Sequence, residues 1–356
     1  MAYPYALLRT GFRYLTALGG FVNTSMPHDL AFGQEGRIYV VCTGNSGPIS
    51  ILNLDDEDLG SFGAPGFGFR LPNHKCSPGN QDWPVQDGAV LWPCQILVDS
   101  EELVYTSDQA TDRITVYNRF GEYQGKWGEH GSGDGRLDRP SGIAFDADEN
   151  MYIVDTMNHR VQKFTKDGRF LMKFGVYGRG EGEFDMPWGI HIDEVGDVYV
   201  VDWRNDRVEK FDSDGNFIFQ FGSFGDGPGE FNRPAGIAVD GHGDIYVADC
   251  GNDRVQLFSK EGRYVQQFLG DATLPTKSHR ERLFTSTKMG LRFRESSSMD
   301  DLRYFQRPLS VRVDSEFRLF VTDHWSYRIQ VYEKEAYPRT EEEVAPPLRA
   351  PVLGPN

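Results

Sequence analysis

Apolar residues along this chain fall in short runs rich in β-branched and aromatic side chains, each bounded by Asp, Asn or Gly. Runs of this kind predict strands, and the bounding residues predict tight turns. Downstream of Pro140 the pattern predicts strands over 142–146, 151–154, 160–165 and 169–175. Lys166-Asp167-Gly168 is the hairpin turn before the last of them, with glycine supplying positive φ. The pattern then recurs. RPSGIAFDADENMYIVDTMNHRVQKF from Arg139, MPWGIHIDEVGDVYVVDWRNDRVEKF from Met186 and RPAGIAVDGHGDIYVADCGNDRVQLF from Arg233 superimpose without gaps, their prolines 47 residues apart both times. Fainter copies begin at Pro27, Pro93 and Pro308, making six units. Four short strands per unit at this period predict an all-β fold, a six-bladed β-propeller.

The sixth unit supplies only its first three strands before the chain turns acidic and proline-rich after Tyr332. The segment 9–19 aligns with 166–175, so an N-terminal strand is expected to complete the last blade and close the ring. The domain reading is one propeller over 1–332 and a tail over 333–356, disordered or a docking strap. Two insertions, 64–91 and 271–304, interrupt the ring between blades.

The Pro-x-Gly-Ile-Ala-Val-Asp start, the Ile-Tyr-Val-Ala-Asp strand, the Asn-Asp-Arg-Val turn and the closing Phe-Gly resemble the NHL repeat. The resemblance spans nearly the whole folded body and is strongest in the three central units. Unit one departs most, with Cys42 for the strand-two Asp and Gly47 for the Arg. It implies a six-bladed propeller used mostly to bind proteins or RNA, with some members being enzymes. A fold by itself implies no activity. Met26-Pro27-His28-Asp29 is also similar to the strand starts of the peptidyl-hydroxyglycine amidating lyases, in which three such histidines on alternate blades hold zinc. Only His28 matches; Ser141 and Ala235 occupy the other two positions, so that triad is incomplete.

Charge narrows the partners. Lys and Arg number 37 against 53 Asp and Glu, a net charge of −16, which argues against a nucleic acid or an anionic membrane as ligand. No apolar run approaches the roughly 18 residues of a membrane span. Arg9 and Arg13 interrupt any leader-like stretch. Four cysteines in 356 residues fit a reducing compartment, so a cytoplasmic location is expected.

Six copies provide an internal control: what recurs serves the blade, and what occurs once needs another reason. Asp108, Asp155, Asp202, Asp249 and Asp323 recur with Arg113, Arg160, Arg207, Arg254 and Arg328, and are expected to pair. Asn158, Asn205 and Asn252 are expected to bond backbone within the turn. Strand direction puts the blade-to-blade linkers and the two-to-three turns on one face, here the linker face. The remaining turns form the hairpin face, whose acids (among them Asp99, Glu102, Asp146, Asp193, Asp240 and Asp244) read as solvated turn residues.

Single-copy residues gather on the linker face. His28, Cys94 and Trp188 follow the repeat proline; Trp203, Arg204, His324 and Trp325 tip the turns; His191 lies on the strand of Trp188. These form the candidate ligand site, for a protein or a small molecule at the channel mouth, against the alternative of local packing under the insertions. The segment 277–294 carries six basic residues and one acid; it reads as a phosphate or acidic-partner site, a clasp on the acidic body, or a mobile loop. His28, Cys94, His74 and Cys76 form a candidate zinc or copper set, against a buried cysteine with an Asp-paired histidine, or a Cys76–Cys94 disulfide. The second functional reading is accordingly a metal-dependent lyase or hydrolase at the mouth. Oligomeric state is not legible.

Overall fold

The structure, a computed structural model, describes residues 8–20, 24–43, 48–65, 87–273, 276 and 303–338. Six antiparallel four-stranded sheets form the blades. Blade 3, for example, comprises Pro140–Phe145, Met151–Asp155, Arg160–Phe164 and Phe170–Phe174, within two residues of the pattern's bounds. Leu8–Gly19 pairs antiparallel with Arg328–Pro338, Leu18 opposite Ile329 and Phe12 opposite Lys334. The N-terminal strand therefore closes the ring as expected. The tail boundary moves, because residues 333–338 continue the strand. Their polar sequence hid this: Lys334 is buried, with its Nζ 2.5 Å from Asp240 and 2.6 Å from Asp244 of the neighbouring blade. Phe12, opposite it, sets its ring edge-on against Phe268 and Tyr246.

The core is six clusters, one between each pair of successive blades. Tyr152, Val154 and Val161 of blade 3, for instance, meet Phe184, Ile190, Val200 and Phe211 of blade 4. Each such buried side chain contributes about 1.5–3 kcal/mol. The two middle strands are buried almost throughout, whereas the outer strand alternates. Its closing glycine is required: Gly175 has φ 87°, and a Cβ there would lie 2.4 Å from the Phe184 ring. The linker phenylalanine thus wedges against a residue that cannot carry a side chain.

Around the channel, the second residue after each repeat proline decides how neighbouring inner strands meet. In blades 3, 4 and 5 it is Gly142, Gly189 or Gly236, where a Cβ would stand 2.5, 2.2 or 2.6 Å from the next blade's carbonyl oxygen. Backbones touch there. In blades 1, 2 and 6 the same position is Asp29, Gln95 or Ser310. The buried Asp29 carboxylate accepts from the Ile96 amide (3.1 Å), Ser310 Oγ (2.5 Å) and the Arg312 guanidinium (2.5 and 3.0 Å). Gln95 Oε1 accepts from the Ile143 amide at 2.9 Å. One side of the ring is closed by glycine contact and the other by polar pins.

Candidate functional site

Linkers and two-to-three turns are hydrogen-bonded to one another, which establishes the linker face. The turn amides of Met157, Arg204, Gly251 and Trp325 donate to linker carbonyls of Asp138, Asp185, Asn232 and Gln306 at 2.8–3.1 Å. The repeat aspartates sit beneath. Asp155, Asp202, Asp249 and Asp323 accept from Arg160, Arg207, Arg254 and Arg328 at 2.7–3.1 Å. Burial nevertheless pushes all four carboxyls up. Blade 2 corrects the expectation. Asp108 is occupied by the amides of Leu91, Trp92 and Ala110, and Arg113 donates instead to the Ala89 carbonyl. The asparagines also differ from expectation: Asn158, Asn205 and Asn252 reach the linker carbonyls of Gly131, Gly178 and Gly225 at 2.8–2.9 Å, as well as their own aspartates.

A second recurring device escaped the sequence. The residue before the repeat proline is left-handed at Arg139, Met186, Arg233 and Arg307, with φ 53–59°. Each donates its amide to a left-handed turn residue of the preceding blade: Asp112 (2.7 Å), His159 Nδ1 (3.0 Å), Asp206 (2.7 Å) and Asp253 (2.7 Å). Two unfavourable backbone conformations are held by one cross-blade bond. The only sequence signal was the recurring Asp of Asn-Asp-Arg. This latch fixes where the side chains before the prolines stand.

The channel mouth is built on that frame. Trp188 and Trp203 have ring centroids 6.2 Å apart, and the Arg233 guanidinium lies 4.4 Å over Trp203. Arg307 lies 4.9 Å over Trp325, which is half exposed. His28 and His324 stand edge-on with centroids 4.8 Å apart, His324 Nδ1 being 3.2 Å from the Pro27 carbonyl. Burial, with His324 and Arg307 adding, lowers His28 to about 3, so the ring is neutral. Arg204 turns aside to Asp185 (3.9 Å) and the Met186 sulfur. His191 is not at the mouth. It lies at the opposite end of its strand, near the Val239 carbonyl and Asp240 of the next blade, and burial with Arg312 lowers it to about 3.

Cys94 is a buried free thiol, pushed well up by burial and by the carboxylates of Asp29 and Asp108. His74 and Cys76, the other members of the zinc or copper set, lie outside the described residues, as do most of both insertions. Ser141, at a position of the lyase zinc triad, is committed to Thr156 (2.7 Å) and the Trp188 carbonyl (2.8 Å). Among the described residues one group has donors close enough for a single ion: Asp112, His130 and Asp138. Asp112 there already holds the Arg139 amide and His130 Nδ1 at 2.9 Å.

Sequence comparison agrees with this geometry. A family described as NHL repeat matches residues 137–164, and one described as 6-bladed beta-propeller matches 195–318. The chain is a six-bladed β-propeller that carries an NHL repeat. Similar solved structures include a catalytically inactive virginiamycin B lyase from Staphylococcus aureus with quinupristin, at TM-score 0.52 and 13% identity, covering 94% of this chain and 90% of that one. A streptogramin B lyase matches at 0.51 and 11%, covering 91% and 87%. A protein of unknown function from Bacteroides thetaiotaomicron matches at 0.59 and 16%, covering 92% and 76%. At these identities the likeness is one of fold. No curated protein matches the chain.

The hairpin face of the propeller is less open than expected. Asp99, Glu102, Asp240 and Asp244 are buried, not solvated. Lys166 reaches Asp99 (2.7 Å), Arg37 reaches Glu102 (2.8 Å), Lys163 reaches Asp146 (2.8 Å) and Lys210 reaches Asp197 (2.7 Å). Among the described residues, no helix is long and apolar enough to cross a membrane.

Proposed function

We propose that this NHL propeller is a binding scaffold whose linker face seats a small-molecule or protein ligand at the channel mouth. One observation carries the reading. Trp188 and Trp203 stand at positions that sister blades fill with Ser141 and Ala235, or with Thr156 and Cys250. Blades 3 and 5 show that the fold is content with small residues there. Large aromatic side chains around a concave mouth are what recognition surfaces use as anchors. Two structural neighbours are lyases, which brings in an enzyme reading, but at 13% and 11% identity they lend this chain the fold and not the activity. A thermal-shift screen of metabolites and peptides tests the proposal, with each hit retested on Trp188→Ala and Trp325→Ala. The proposal expects hits to weaken at least about tenfold, as loss of an anchor costs. Hits indifferent to both variants but weakened by Lys210→Ala on the hairpin face would overturn it.

A further inference from the structure

Blade 5 is the low point of the mouth. At the positions where blade 4 carries Trp188, Trp203 and Arg204, and blade 6 carries Leu309, His324 and Trp325, blade 5 has Ala235, Cys250 and Gly251. Small residues between two tall neighbours leave a notch. Its two boundaries are the latches of Arg233, against Asp206, and Arg307, against Asp253. The latch spends the amide of each arginine and fixes its Cα, leaving the guanidinium to stand beside the notch, over the Trp203 ring in one case and the Trp325 ring in the other. Arg307 also acts electrostatically on Cys250, on the notch floor, and on His28 and His324 across the mouth.

Charge sets the pair apart from the repeat arginines, each of which is paired with its aspartate. The protein carries −16, yet among the described residues neither guanidinium lies within 4.0 Å of a carboxylate oxygen. Asp206, an acid coupled electrostatically to Arg233, gives one oxygen to that residue's own amide. One nitrogen of Arg233, Nη1, is buried without a hydrogen-bond partner. His28 and His324 are held neutral by burial and supply no competing charge. The two cations are therefore not spent on the fold. A guanidinium stacked on indole keeps its in-plane N–H donors free and pre-oriented, the arrangement suited to planar oxyanions.

We propose that the blade 5 notch is an anion site: Arg233 and Arg307 take the carboxylate or phosphate oxygens of a small ligand, whose remaining body lies against Trp188 and Trp203. This rests on the linker-face reading and names the ligand class. Isothermal titration with succinate and with inorganic phosphate, in low salt and again at about 0.15 M salt, tests it on the full chain. Saturable binding of at least one anion, weaker in salt, is expected. Arg233→Gln and Arg307→Gln should each lower affinity about tenfold, as for one charge-assisted contact. Arg307→Lys should fall between, and Arg169→Gln on the hairpin face should change nothing. Tryptophan fluorescence should respond to the anion in the wild type and not in the double glutamine variant. The succinate and phosphate arms identify the oxyanion. Absence of binding by both anions, or binding that ignores both glutamine variants, overturns the proposal, as does a single-stranded oligonucleotide that binds more tightly than either anion. An uncharged ligand that needs Trp188 but neither arginine would remove this inference and leave the linker-face reading standing.

Discussion

On the hairpin face, Lys163, Lys166, Lys210 and Lys334 lie against Asp146, Asp99, Asp197 and Asp240 at 2.5–2.8 Å. On the linker face, Arg233 and Arg307 lie against indole rings instead. Lys163 and Lys210 hold the same place in successive blades and tie strand to turn, while Lys166 and Lys334 tie one blade to the next. The arginine arrangement occurs where the repeat is broken by single-copy aromatics. The difference teaches where to look for function in a repeat protein: charge that is neutralised within the repeat belongs to the fold, and charge that the repeat leaves unneutralised is free for a ligand.

The largest expected effect lies on the neutralised side. Lys334→Met leaves Asp240 and Asp244 facing each other, both nearly inaccessible, without their cation. Removing one partner of a buried pair costs about 3–5 kcal/mol. Urea unfolding measures it, and a loss below about 1 kcal/mol, the worth of an exposed pair, would blur the contrast between the faces.

A smaller effect concerns a carboxyl below the linker face. Glu209 stands where sister blades have Gln162, Gln256 and Gln330. The Gln162 and Gln256 amides donate to linker carbonyls and to the repeat aspartates at 2.6–3.2 Å, which an ionised carboxylate cannot do. Burial, with Asp202 adding, pushes Glu209 up to about 7, against the pull of Arg207. Its folded value lies above its ordinary 4.5, so its contribution is complete below that value and is lost as pH rises through about 7. Glu209→Gln should therefore be nearly neutral at low pH and stabilise above neutrality by on the order of 2 kcal/mol. Melting curves across that range check it; a gain at low pH that vanishes at high pH would reverse the sign and contradict the assignment.

Smaller still is the structural cost of the mouth aromatics. Trp325→Ala, half exposed, should cost about 1 kcal/mol or less of stability while weakening ligand binding. A large loss of stability would place Trp325 among the packing residues.

The ring was legible because each blade repeats what it does for itself: strands, turns, the Phe-Gly stop and the missing outer strand all leave periodic marks. Contacts between blades leave fewer. Lys334 sat in a stretch whose composition read as tail, since its partners are acids of the preceding blade. The left-handed pairs, such as Arg233 with Asp206, join positions 27 residues apart that no local pattern connects. Asp108 and Arg113 matched the repeat and still did not pair, because Ala89 and the amides of residues 91 and 92 took their places. For the candidate site, sequence supplied the aromatic residues and the face. It did not supply the stacking of arginine on tryptophan, and it put His191 with residues from which the strand separates it.

If Arg233 and Arg307 serve a ligand and not the fold, the ring holds without their charges. Equilibrium urea unfolding of the Arg233→Gln/Arg307→Gln variant tests this most directly. The expected stability lies within about 1 kcal/mol of the wild type, the range of surface substitutions and stacked cations. A loss of about 3 kcal/mol or more, the size expected for a buried ion pair, would contradict it by making both arginines part of the ring.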